Sequence, residues 1–256
     1  MSEQNNNGYV NSSTSNGITT IEFFHPQSNS LPGVILNKLA DCIKEVASNK
    51  ATNVIVIRSG GNKSFCAGAS FDELIQISNE TEGLRFFSGF AKVINAIRTS
   101  PKFVIGRIQG KCVGGGVGLA AACDYALALD TADIKLSELA VGIGPFVVGP
   151  AVERKMGTSA FTALSIDATS WRNSSWAYGN GLFAELHPSI EKLDEAVEKL
   201  ATTLSLSSPD AMMELKKICW KGTENWDELL MERAAISGRL ILSDFSKKAI
   251  EAFKKK

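Results

Sequence analysis

A chain of 256 residues with 44% hydrophobic and 21% charged residues has the make-up of a globular protein able to bury a sizeable core. Lysine plus arginine balance aspartate plus glutamate at 27 each, so no net field draws it to nucleic acid or to an anionic membrane surface. Five cysteines (Cys42, Cys66, Cys112, Cys123 and Cys219) lack metal-ligand spacing and only two histidines, His25 and His187, accompany them, which argues against a zinc site and against a disulfide-stapled secreted domain.

The opening "MSEQNNNGYVNSSTSNG" has neither a basic start nor an apolar stretch, and no apolar run in the chain reaches membrane-spanning length. With packed, reduced thiols, these features set the expectation of a soluble cytoplasmic protein. The first eight residues are polar and expected to fray. "YVNSSTSNGITTIEFFHP" alternates around Ser-Asn-Gly and reads as a hairpin. "LPGVILNKLADCIKEVAS" has helical spacing, "NVIVIRS" is a short buried strand, and "EGLRFFSGFAKVINAIRT" is an amphipathic helix. "KFVIGRIQ" is a second buried strand, and "DYALAL" and "DIKLSE" read as two more. This alternation through about residue 140 predicts an α/β layer architecture. Beyond Pro150 the pattern reads as almost wholly helical, ending in the basic "KKAIEAFKKK", which reads as a solvated helix face.

Between those strands lies "KCVGGGVGLAAACDY", residues 111–125, with Gly114, Gly115, Gly116 and Gly118 ahead of an apolar, helix-prone run. Three readings compete. The plainest is a tight turn that lets a helix pack closely on a strand. A dinucleotide site is the second, because Gly116, Gly118 and Ala121 fit G-x-G-x-x-A with Glu138 downstream; the helix that could follow is too short for it. The third is a pair of main-chain N–H donors for an oxyanion, completed by a second segment. "KSFCAGASFDEL", residues 63–74, can supply that segment, since Ala67, Gly68 and Ala69 let a ligand approach the backbone before a helix opens near Phe71.

Taken in order, "SFCAGASFDEL", "IQGKCVGGGVGLAAACD" and "LSELAVGIGP", with "HPQSNSL" upstream, resemble the signature of the crotonase (enoyl-CoA hydratase/isomerase) superfamily over about residues 17 to 190. The resemblance implies a spiral of repeated ββα units over residues 1–195, a helical C-terminal trimerisation region over 196–256, and a homotrimer or dimer of trimers. It implies an acyl-CoA enzyme with no permanently bound cofactor, its substrate carried as a coenzyme A thioester, acting in fatty-acid or related metabolism. It places oxyanion donors at the N–H groups of Ala69 and Gly115 and a proton-transferring acid at Glu138. Apolar Leu136, Leu139, Val141 and Ile143 around Glu138 predict a raised pKa; a surface capping acid is the plainer alternative.

Gly118 stands where many members carry a second acid, so isomerisation by one carboxylate is favoured over the lyase reaction, hydration. A hydratase, including one for a branched substrate such as methylglutaconyl-CoA, and a non-catalytic acyl-CoA-binding homologue are the alternatives. Resemblance further places coenzyme A near Cys66, Ala67 and Gly68, with Lys63 and Lys254 to Lys256 as candidate phosphate partners. Phe71, Phe86, Phe87, Phe90 and Phe146 are candidates to line an acyl pocket with Gly114 and Gly118, although aromatics at helical spacing often form plain core. Cys66 has no histidine context that would make it a nucleophile.

Overall fold

The computed structural model describes residues 8–254; the expectation of fraying at residues 1–7 and the phosphate role of Lys255 and Lys256 lie outside the described residues, as does the side chain of Lys254. The chain opens with strands β1 (Tyr9–Ser15) and β2 (Ile18–Phe24), an antiparallel hairpin in which Ser15 pairs with Ile18. Asn16 and Gly17, both at positive φ, form its two-residue turn, the geometry whose twist suits a hairpin. Short β3 (Ser30–Leu31) leads into α1 (Gly33–Ser48), which buries Ile35, Leu36, Leu39, Ala40 and Ile43 along one stripe.

Next come β4 (Val54–Ser59), β5 (Ser64–Cys66), β6 (Gly68–Ala69), α2 (Phe71–Gln76) and α3 (Glu80–Thr99). Then follow β7 (Phe103–Ile108), β8 (Lys111–Val113), α4 (Gly115–Ala122), β9 (Tyr125–Leu129) and β10 (Ile134–Lys135). A 3-10 turn, Glu138–Val141, precedes α5 (Gly149–Ile166), which is broken at Gly157. The remainder is α6 (Ser174–Gly179), β11 (Glu185–His187), α7 (Ile190–Ser205), α8 (Pro209–Cys219), α9 (Trp226–Leu240) and α10 (Asp244–Lys254). The sequence pattern makes the chain past Pro150 almost wholly helical; β11 is the exception, pairing in parallel with β9 at the sheet edge. Residue 195, where the sequence divides core from helical tail, falls within α7.

The main sheet runs β1-β2-β4-β7-β9-β11, parallel except for the opening hairpin. Strand alternation sends Val54 and Val56 to one face, where they meet Leu193, Val197 and Ala201 of α7. Ile55 and Ile57 face the larger core built with α1, α3 and α4. A second layer, β10-β8-β5, and the β3-β6 pair stand beside it. These two small sheets carry both backbone segments singled out above.

Helices α3 and α9 cross with almost nothing between them: a Cβ at Gly83 would lie 2.6 Å from the Gly238 Cα. α8 is held through Lys216, only 2% exposed, whose Nζ donates to the carbonyls of Ile97 (2.8 Å) and Lys102 (2.7 Å) and pairs with Asp124 at 2.8 Å. The same carboxylate accepts the Trp220 indole N–H and the Val104 amide, each at 2.7 Å. α10 packs on the Glu138 turn, with Phe245 and buried Ser246 against Gly142.

Candidate active site

Four separate demands explain the glycine stretch. Gly114 caps α4 at φ +52, a backbone conformation that disfavours a side chain, and a Cβ there would stand 2.9 Å from Glu138 Oε1. A Cβ on Gly115 would collide with the Phe90 ring, on Gly116 with the Cys66 carbonyl, and on Gly118 with the Val148 side chain. The stretch is a close-packed junction of α4 with β5, α3, α5 and the Glu138 turn. Some of its N–H groups are tied within the fold. Gly114 donates to the Lys135 carbonyl at 2.8 Å, and Val117 and Gly118 donate to the Gly114 carbonyl. Gly115, the first residue of the helix, is by position without an intrahelical acceptor.

The second segment abuts it. Gly68, at φ +90, lets β6 run so close that a Cβ there would be 2.9 Å from the Val113 carbonyl and 3.6 Å from the Gly115 nitrogen. The Ser70 N–H donates to the Leu31 carbonyl in the β3-β6 pair, so the alternation of a parallel ladder turns the preceding Ala69 N–H away from β3. Two buried amides fix this loop. Asn29 donates from Nδ2 to the carbonyls of Gly60 (2.9 Å) and Ser64 (3.0 Å) while its Oδ1 accepts the His25 N–H. Gln109 donates from Nε2 to the Ser59 hydroxyl at 2.7 Å and reaches the Gly61 and Ser64 carbonyls. Asn29 belongs to the "HPQSNSL" element noted in the sequence; Gln109 was not singled out, its only signal being an amide closing an apolar strand.

Both segments open on one cavity, lined by Ala67, Gly68, Ala69, Gly114 and Gly115 together with Glu138. Phe71, Phe87, Phe90 and Phe146 form much of its wall, as does Val148; Phe86 does not line it and faces a separate concavity beside α1. Glu138 keeps some exposure as a residue, but its Oε2 is buried with no hydrogen-bond partner. Desolvation raises its pKa from the ordinary 4.5 to about 7, opposed by a hydrogen bond from its own backbone N–H. Buried Leu136, Val141 and Ile143 are in place as expected, whereas Leu139 is 51% exposed and takes no part.

Besides Phe86, three residues to which the sequence points fall outside the cavity. Gly118 does not line it, because Val148 covers the space in front of it. Cys66 lies beneath the loop, fully buried, its sulfur accepting the Gly68 N–H and its thiol pushed up to about 12 by burial, so it is no nucleophile. Lys63 is exposed at the start of β5 and does not reach the lining. The dinucleotide reading fails on length and place: α4 has eight residues, and Glu138 faces this cavity. Among the described residues, no cluster of metal-ligating side chains occurs. Ser137, Ser237 and Val148 line the cavity without having been singled out; Val148 sits in an ordinary apolar run that carries no signal of its position.

The enoyl-CoA hydratase/isomerase family model matches residues 13–256. The chain belongs to the enoyl-CoA hydratase/isomerase family, the crotonase superfamily. Among its relatives, a probable enoyl-CoA hydratase of Bacillus subtilis (strain 168) is 25% identical over 241 residues, 93% of each chain. The mitochondrial Delta(3,5)-Delta(2,4)-dienoyl-CoA isomerase of Homo sapiens is 27% identical over 207 residues, 73% of this chain and 60% of that protein. The crystal structure of an enoyl-CoA hydratase from Bacillus halodurans superposes with a TM-score of 0.88 at 23% identity, covering 95% of this chain and 99% of that one. The fold is therefore the α/β crotonase fold, with ββα units and a helical C-terminal region. As a crotonase-family enzyme, hydratase or isomerase, it acts on acyl-CoA, with no permanent cofactor typical of the family.

Proposed function

We propose that this crotonase-family enzyme is an enoyl-CoA isomerase that moves a double bond along the acyl chain through a thioester enolate. The carrying observation is a single desolvated carboxylate, Glu138, in a cavity whose other side chains are nearly all apolar. In this reading the carboxylate takes a proton from C2 of a 3-enoyl thioester. The electron pair moves toward the carbonyl oxygen as a dienolate, and the same proton returns at C4, leaving the 2-enoyl product. The N–H groups of Ala69 and Gly115 stabilise the charge on that oxygen, a contribution of roughly 3 kcal/mol for each donor. A pKa near 7 suits a group that must both accept and return a proton near neutrality. The main chain at Ala67 and Gly68 guides the coenzyme A arm.

Hydration is the second reading, favoured by the hydratase named among the relatives. It needs a water held opposite the proton donor, and Gly118 offers no side chain while Val148 fills the space before it. Matched 2-enoyl- and 3-enoyl-CoA in deuterated water, followed by mass analysis, separate the two. Double-bond migration without addition of water supports isomerisation, with little deuterium taken up where Glu138 returns the proton it removed; a 3-hydroxyacyl product would overturn it. Glu138→Gln is expected to bind acyl-CoA with turnover abolished, and full activity in that variant would remove Glu138 from the mechanism. Affinity without any product, in the wild type, would point to a binding homologue. The reading extends to assembly as a homotrimer or dimer of trimers.

A further inference from the structure

Resting on the reading of this cavity as the acyl site, we infer that the acyl group it accepts is short and uncharged, about four carbons and at most about six. Size comes first. A cavity of about 60 Å3 is less than half the roughly 150 Å3 of a closed apolar cavity that admits benzene, so the acyl group it takes is small. A butenoyl group with its carbonyl oxygen fills it. Longer chains must displace aromatic rings.

Those rings are not free to yield. Phe87 stands edge-on to Phe86, ring centroids 5.3 Å apart at 85°, and Phe90 lies against Gly115 at the start of α4. Both ride on α3, whose Gly83 is in backbone contact with Gly238 of α9. Ser237, the neighbouring residue on α9, also lines the cavity, so moving α3 outward to lengthen the site would give up that close crossing. Inserting methylenes into such packing costs about 1–3 kcal/mol.

Charge comes second. Among the described residues, no lysine, arginine or histidine lines the cavity; its polar side chains are Ser137, Glu138 and Ser237. A terminal carboxylate on the acyl chain would be buried with no counter-charge and near a second carboxylate. Burying an unpaired anion is strongly unfavourable. Dicarboxylic acyl groups of the methylglutaconyl type are therefore disfavoured at this site.

Calorimetric titration of the wild-type protein with saturated butanoyl-, pentanoyl-, decanoyl- and glutaryl-CoA tests both halves without requiring turnover. Decanoyl-CoA is expected to bind about tenfold more weakly than butanoyl-CoA. Glutaryl-CoA, which has a carboxylate where pentanoyl-CoA has its terminal methyl, is expected to bind at least about tenfold more weakly than pentanoyl-CoA. Decanoyl binding as tight as butanoyl overturns the size argument, and equal affinity for glutaryl and pentanoyl overturns the charge argument. Phe87→Ala should narrow the butanoyl-to-decanoyl gap, with Phe87→Leu as the milder substitution if the first does not fold; an unchanged gap removes Phe87 as the wall. Turnover of 3-butenoyl-CoA is measured in parallel. Its absence alongside the expected ranking sinks the isomerase reading alone, whereas turnover with a flat ranking sinks the size inference alone.

Discussion

At the scale of single residues, Glu138 links chemistry to stability. Its folded-state pKa near 7 lies above the ordinary 4.5, so between those values the native chain binds more protons than the unfolded one. Stability therefore falls as pH rises through that window, and above it the desolvated carboxylate costs at most about 3–4 kcal/mol. Glu138→Gln removes the cost. The variant is expected to unfold at a higher denaturant midpoint than wild type at pH 8 and at nearly the same midpoint at pH 4. Catalysis has the opposite slope: the base must be ionised, so kcat/KM for a 3-enoyl thioester should rise through about pH 7 and level off. A flat profile from pH 5 to 9 would show that the acid titrates elsewhere. Gly118→Glu is expected to lower stability by about 1–3 kcal/mol through collision with Val148 and to confer no hydration. A stable variant with hydratase activity would contradict the packing described at that junction.

Elements show what the sequence could and could not reveal. The hairpin, α1, β4, α3 and β7 were legible because period-two or 3.6 patterns run their full length and turn residues bound them. β11 was not, since three half-buried residues carry no periodicity and its strand state comes only from pairing with β9. The two segments beside the cavity were legible as glycine-rich loops, and the order of the loops carried the family resemblance. Their supports were less so: Val148 meets Gly118 across a gap in sequence, and nothing local marks the pair. The anchoring of α8 was equally hidden, because a lysine on a helix ordinarily reads as surface. Lys216→Met would leave Asp124 buried without its cation and is expected to cost about 3–5 kcal/mol. Chemical denaturation checks it; a loss under about 1 kcal/mol would mean the pair is solvated in solution.

For the whole molecule, the unpartnered apolar side chains are the outstanding feature. Leu215 and Ile218 on α8, Leu206 after α7 and Phe245 on α10 are all well exposed in the single chain. Exposed apolar groups concentrated on the C-terminal helices suit burial against other copies. Light scattering of the purified protein is expected to report three or six copies, and a monomer at micromolar concentration would refute the assembly proposed above.

The contact of Phe245 and Ser246 with Gly142 has a temporal consequence. Residues 138–142 leave the ribosome well before the helix that roofs them, so during synthesis the carboxyl group stays wet and ordinarily acidic. Only when the tail folds back is Gly142 covered. The turn is thus completed late in biogenesis.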